Sequence, residues 1–130
     1  MGRRDPVKLM VLVGLALALS TSASWGDGDA AKGEQVAKQC AACHSFVDNA
    51  NKVGPSLLGI TGRKPGSAEG YNYSEPFKTY AASFAAWDDV TLDTWLKDPK
   101  TVVKGTKMSF AGVKDDAVRA DLIAYLKSKN

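Results

Sequence analysis

Metal-binding and nucleophilic side chains are scarce in this chain of 130 residues. It has two cysteines, one histidine and three methionines. A structural zinc site needs four ligands, usually from two separated pairs. Cys40, Cys43 and His44 supply three, and no other Cys or His exists. Basic surplus is missing too: 17 Lys and Arg face 14 Asp and Glu, too even a balance for a nucleic-acid binder. No apolar run reaches the roughly 20 residues of a membrane span. The chain also shows no repeat, no low-complexity tract and no convincing strand pattern.

The apolar run that does occur covers residues 9–19, 11 residues long, after a basic start with Arg3, Arg4 and Lys8. Small polar residues, "STSAS", follow it. This order predicts a secretory signal over residues 1–23, cut after Ala23, with one domain over 24–130 exported to the periplasm. An uncleaved anchor is the competing reading, and the run is short for it. The Arg3-Arg4 pair suggests twin-arginine export, but Asp5-Pro6 after it does not fit that signal. Removing residues 1–23 takes away Arg3, Arg4, Lys8 and Asp5. That leaves 14 basic and 13 acidic residues, net +1. The remaining 107 residues can fold alone around a modest core, and a buried apolar cofactor would enlarge it.

Local signals predict an all-α fold of a few helices and long loops. Asp27 or Asp29 can cap a first helix through "AAKGEQVAKQC". Residues 47–73 are rich in Gly, Pro, Asn and Ser. A stretch that long and irregular is uncommon unless it wraps something. Ser74 can cap a short helix ending near Tyr80. "DDVTLDTWLKDP" puts Leu92, Trp95 and Leu96 on one side and should stop at Pro99. "TVVKGTKMSFAG" is expected as a loop. "DDAVRADLIAYLK" is amphipathic, with Val118, Leu122, Tyr125 and Leu126 at helical spacing.

Within that frame, "CAACH" packs both cysteines and the histidine into five residues, 40–44. A disulfide is one reading for an exported protein, zinc a second, a thioredoxin-like redox pair a third. Zinc lacks its fourth ligand and the redox pair lacks its βαβ setting. The remaining reading is covalent haem attachment, for which C-x-x-C-H is the signature. Two intervening residues place both thiols along one porphyrin edge, to meet its two vinyl groups. His44 then lies under the iron as the proximal ligand.

An electron-carrying iron wants a sixth ligand. A second imidazole is excluded, because His44 is alone. Met1 and Met10 fall in the signal, so Met108 is the methionine left, 64 residues after His44 in "KGTKMSF". Its loop setting favours ligation over a gap-filling core role. Lys107 stays open as an alternative.

"GDAAKGEQVAKQCAACHSF", "NKVGPSLLGITGRK", "GYNYSE" and "DPKTVVKGTKMSFAG", in that order, resemble class I cytochromes c, in particular bacterial cytochrome c2 and its mitochondrial relatives. The resemblance runs from about Gly28 to Lys127. It implies the small cytochrome fold, first and last helices crossing near one haem c. It also implies that the Pro55 carbonyl receives the His44 ring N–H. By the same resemblance Arg63, Tyr73 and Trp87 surround the haem propionates, and Thr106 brings a hydroxyl near the ligating sulfur. Two positions depart from the pattern. Ala37 stands where relatives often carry an aromatic, so the contact with the last helix should be slighter, or filled by Tyr125. Trp95 replaces a tyrosine, which should alter hydrogen bonding around Met108. The segment between Tyr73 and Trp87 is a few residues longer than in mitochondrial relatives.

The expected function is that of a soluble, monomeric, monohaem carrier of single electrons rather than an enzyme. Its expected partners are a cytochrome bc1-type donor and an oxidase or photosynthetic reaction centre as acceptor. A dedicated carrier for a periplasmic dehydrogenase is the alternative. A haem peroxidase or sensor is a weaker one, since no second histidine remains for acid–base work. From Pro99 to Lys114, Lys100, Lys104, Lys107 and Lys114 meet no acid, and Lys38 and Lys52 flank the other haem segments. These lysines form the expected docking face, with the acids of residues 88–98 and Asp115, Asp116 and Asp121 behind.

Overall fold

The computed structural model describes Gly2 and residues 27–130, and the expected signal lies outside the described residues. Five helices are present: α1 (Ala30–Ala41), α2 (Glu75–Ala81), α3 (Asp89–Lys97), α4 (Pro99–Val102) and α5 (Asp116–Lys127). No strand occurs among the described residues, in line with the all-α expectation.

Each helix begins at a side chain that takes orphan backbone N–H groups. Asp29 accepts from Ala31 and Lys32, Ser74 from Phe77, and Asp88 from Thr91. Asp98 accepts from Thr101, and Asp115 from Val118. Of the two caps expected for α1, Asp29 is the one used. Pro99 does close off α3, which ends at Lys97, but it also opens α4. A proline at the first helical position gives up an N–H that has no partner there anyway. The loop expected from Thr101 therefore starts two residues later, at Val103.

α1 and α5 form the most extensive helix pairing among the described residues. Of the two expectations beside Ala37, a slighter contact or one filled by Tyr125, the second fits, and the pairing is close. Glycine is the reason. A Cβ at Gly33 would run into the Asp121 carbonyl, and one at Gly28 into the Ala120 backbone. The absent side chains let the two backbones meet directly. Asp29 N–H also donates to the Asp121 carboxylate at 2.7 Å. Tyr125 packs over Gly33 and meets Phe46 edge-on at 5.5 Å between centroids.

The α5 stripe is as expected at Leu122, Tyr125 and Leu126 and differs from expectation in its first turn. Val118 is exposed, and the buried side chains are Arg119, Leu122, Ile123, Tyr125 and Leu126. A buried arginine needs full pairing, and Arg119 has it. Nε donates to Asp93 at 2.6 Å, Nη2 to Asp116 at 2.7 Å, and Nη1 to the Val113 carbonyl at 2.9 Å. It joins α5 to α3 and to the chain arriving from Met108.

Residues 42–73 form turns rather than helix, as the Gly and Pro content demands. They are stitched to other parts of the chain. Gly54 N–H donates to Cys43 O at 2.8 Å, Leu57 N–H to Ser45 O at 2.8 Å, and Gly59 N–H to Lys129 O at 2.9 Å. Gly62 N–H donates to Trp87 O, and Trp87 N–H to Arg63 O. No helix among the described residues is long and apolar enough to cross a membrane.

Candidate functional site

The long irregular stretch wraps a cavity of about 530 Å³, within the range of about 300–1,000 Å³ typical of small-molecule sites. Its lining comes from residues spread between Gln39 and Leu126. Cys40 and Cys43 stand on one part of the wall with His44. The turn that presents them closes where Cys43 N–H and His44 N–H both donate to Cys40 O, at 3.0 and 2.9 Å. Both cysteines are free, so the disulfide reading falls. Zinc falls as well: among the described residues no three His, Cys, Asp or Glu side chains cluster to hold a metal ion.

His44 is held by its Nδ1–H, which donates to the Pro55 carbonyl at 2.6 Å, as the family resemblance implied. That bond selects the tautomer whose Nε2 carries the free lone pair. Burial is the main influence on the ring and pushes its pKa below the ordinary value, outweighing the Pro55 bond that raises it. The imidazole is therefore neutral at neutral pH, the form that ligates iron. Gly54 makes room for it, since a Cβ there would strike the His44 ring. Burial, with Cys43 second, raises the Cys40 pKa and keeps it a thiol.

Met108 lines the same cavity, and its N–H donates to Thr106 Oγ1 at 3.3 Å. Arg63, Tyr73, Trp87, Thr106 and Lys107 are also on the wall. Arg63 is anchored by donation to Ser56 O at 2.6 Å and Leu58 O at 3.3 Å. Burial lowers its pKa and raises that of Tyr73, whose hydroxyl accepts from Ala68 N–H at 2.9 Å. Trp95 stacks on Tyr80 at 5.7 Å and meets Phe77 edge-on at 5.3 Å. Among the described residues no hydrogen bond joins Trp95 to Met108.

Lysines of the expected docking face fall into two groups. Lys52 donates to Ala41 O at 2.9 Å and Lys107 to Asn72 O at 2.8 Å, while Lys38 bonds to Gln35. Lys100 and Lys104 are exposed. None of the five forms an ion pair among the described residues. Lys114 differs: it pairs with Asp98 at 3.0 Å.

Sequence reasoning missed much of the apolar wall: Leu57, Ile60, Tyr71, Phe77, Leu92 and Leu96. Their signal was present for Leu92 and Leu96 as one side of a helix. Which side faces a ligand and which faces core is not written in periodicity.

The donor set fits one group. Two free thiols spaced C-x-x-C, a neutral histidine next to them, a lone thioether and a wall of apolar side chains match a covalently attached haem. An α-helical chain wrapped around such a cavity defines a c-type cytochrome. The family model described as Cytochrome c matches residues 30–130. Cytochrome c2 of Rhodomicrobium vannielii is 46% identical over 122 residues, covering 93% of this chain and 94% of that protein. Cytochrome c-554 of Methylosinus trichosporium is 43% identical, covering 91% and 88%. The solved structure of cytochrome cH from Methylobacterium extorquens superposes with a TM-score of 0.70 at 47% identity, over 78% of this chain and 100% of that one. The chain belongs to the class I cytochrome c family; it carries one covalently bound haem c and is an electron carrier, not an enzyme.

Proposed function

We propose that the chain is exported to the periplasm, cut after Ala23, and shuttles single electrons as a soluble monomer. Its donor is a quinol-oxidising complex of the bc1 type, and its acceptor a terminal oxidase or photosynthetic reaction centre. Cys40 and Cys43 would bond the haem, and His44 and Met108 would hold its iron. The observation that carries this reading is that these four side chains line one cavity. Haem, when bound there, supplies the one-electron couple.

The protein's part is to position and insulate. Pro55 fixes the His44 ring. The aromatic and aliphatic wall excludes water, which keeps the site's dielectric low. Iron held by a thioether and an imidazole would favour the reduced state and have a raised potential. With His44 and Met108 both holding the iron, no place would be left for oxygen or peroxide. Arg63, Tyr73 and Trp87 serve the propionate side of the group, and Thr106 fixes the backbone at Met108.

The test is the Met108→Ala variant of the holoprotein. It should keep its haem through acid–acetone extraction, lose the ferric sulfur-to-iron charge-transfer band, show a lower potential and bind cyanide readily. A band that survives in the variant overturns the axial assignment. Deleting the gene and asking which respiratory or light-driven electron flux stops tests the partners.

A further inference from the structure

Ser56 is a polar side chain enclosed almost completely, 2% exposed, one residue past the carbonyl that receives the His44 ring. It is not on the cavity wall. Its hydroxyl donates to Asp48 O and accepts from Leu58 N–H at 3.2 Å. Its own carbonyl accepts from Arg63 Nη2 at 2.6 Å. On either side of it, Gly54 N–H donates to Cys43 O and Leu57 N–H to Ser45 O, both at 2.8 Å. The turn that offers Asp48 O is itself held. The Asp48 carboxylate accepts from the Ser45 hydroxyl at 2.6 Å and from Ala50 N–H at 3.0 Å.

We infer that Ser56 is a positioning residue for His44: its hydroxyl fixes the peptide plane whose oxygen, Pro55 O, takes the ring N–H. The Pro55–Ser56 peptide is one planar unit, so turning the carbonyl moves the Ser56 Cα. The proline ring already fixes φ at Pro55. Rotation about ψ of Pro55 is the freedom left, and it would swing the oxygen away from Nδ1. Ser56 blocks that rotation by tying down the far end of the plane, and the His44–Pro55 bond stays at 2.6 Å. A strong bond from Nδ1–H raises the basicity of the ring as a ligand. A more basic imidazole favours ferric over ferrous iron, and hydrogen bonding behind an axial ligand is one of the levers on a haem potential. Ser56 thus holds the potential down through His44. A serine that served stability alone would leave the potential where it is.

This inference rests on the axial role proposed for His44. The experiment is equilibrium redox titration of the holoprotein, wild type beside Ser56→Ala. At a fixed poise the variant's ratio of reduced to oxidised protein should rise about threefold, the effect of weakening one hydrogen bond. For a one-electron couple that is about 30 mV. In proton NMR of the reduced variant, the His44 Nδ1–H should exchange with solvent faster. Ser56→Thr keeps the hydroxyl and should return most of the way. Ser45→Ala removes the hydroxyl that holds the Asp48 turn, changes no charge, and should shift the ratio the same way by less. A Ser56→Ala protein that is less stable but has the wild-type potential overturns the inference, as does an equal rise in Ser56→Thr. If Ser56→Ala takes up no haem, a wild-type potential in Ser45→Ala overturns it instead. A ferric wild-type protein whose His44 ring protons show no hyperfine shift overturns the ligation by His44 first, and the role of Ser56 with it.

Discussion

At the scale of single residues, two positions decide more than their size suggests. Gly54 is one. Its missing Cβ is the space the His44 ring occupies. Gly54→Ala should strain that ring against its Pro55 bond, at about 1–3 kcal/mol of overpacking. The measurement is denaturant unfolding of the holoprotein beside haem yield, and an unchanged midpoint would count against it. Arg119 is the other. Its carboxylate partners are exposed, Asp93 at 48% and Asp116 at 84%, so water can solvate them if the guanidinium goes. The Val113 carbonyl and the emptied core space have no such relief. Arg119→Ala should then destabilise by about 1–3 kcal/mol, through the lost backbone bond rather than through stranded charge. Asp93→Asn, which keeps an acceptor, should cost less, and equal midpoints for the two variants would refute that ranking. The sequence announced the haem-attaching residues because covalent chemistry demands a fixed spacing. Arg119 was hidden for the opposite reason. A charge on the buried stripe is legible only once its partners from α3 and the 113–114 segment are in place.

Among the helices, the α1–α5 contact shows which of two opposing glycine effects wins. In a free helix, Gly33→Ala would gain about 1 kcal/mol of propensity. Here the new Cβ meets α5 backbone at Asp121, which cannot rotate away. Overpacking of about 1–3 kcal/mol should exceed the gain, so thermal unfolding of the alanine variant is expected at a lower temperature. The caps give a pH signature. The Thr91 backbone N–H, then its hydroxyl, holds Asp88 below its ordinary value. Lys114, then Thr101, does the same for Asp98. A depressed folded pKa means stability that is fully present above the unfolded value of about 3.9 and is lost as pH falls through the folded one. Acid unfolding should therefore steepen below about pH 4. Asp88→Asn keeps a good cap and removes the titration, so its acid limb should be shallower than the wild type's. Four of the five helices were legible from cap and period. The fifth, Pro99–Val102, spans 4 residues, too short for any period to show.

For the molecule as a whole, charge is sorted by pairing more than by number. Asp89, Asp93, Asp98 and Asp116 are engaged with Lys127, Arg119 and Lys114. Among the described residues Lys38, Lys52, Lys100, Lys104 and Lys107 form no ion pair. These five lysines are the basic set expected to steer an acidic partner in a molecule of net charge near zero. Reaction with the electron-transfer partner should slow as added salt brings the Debye length to about 10 Å and below. Lys100→Glu and Lys104→Glu are the clean probes, because neither side chain has a structural bond to lose. Both should slow the reaction at low salt and leave the haem spectrum alone; wild-type rates would dismiss the basic face. Which lysines are free could not be read from sequence. Lys114 sits in the same run of basic residues, and only the approach of Asp98 removes it from the set.

The pairing of α1 with α5 joins residues 92 apart, as in the bond from Asp29 to Asp121. Closing so long a loop is entropically insensitive to its length. Each doubling costs only about 0.6 kcal/mol, so a handful of added residues is almost free. What limits length change is the cavity wall, and the turn between α2 and α3 is clear of it. Ala82, Ser83 and Ala85 are exposed and none lines the cavity. This turn falls inside the segment expected to be longer than in mitochondrial relatives. It is therefore the natural insertion point of the fold: a short Gly-Ser graft after Ser83 should leave haem attachment and the α1–α5 contact intact, and would let a reporter or tether be carried without touching either face of the haem.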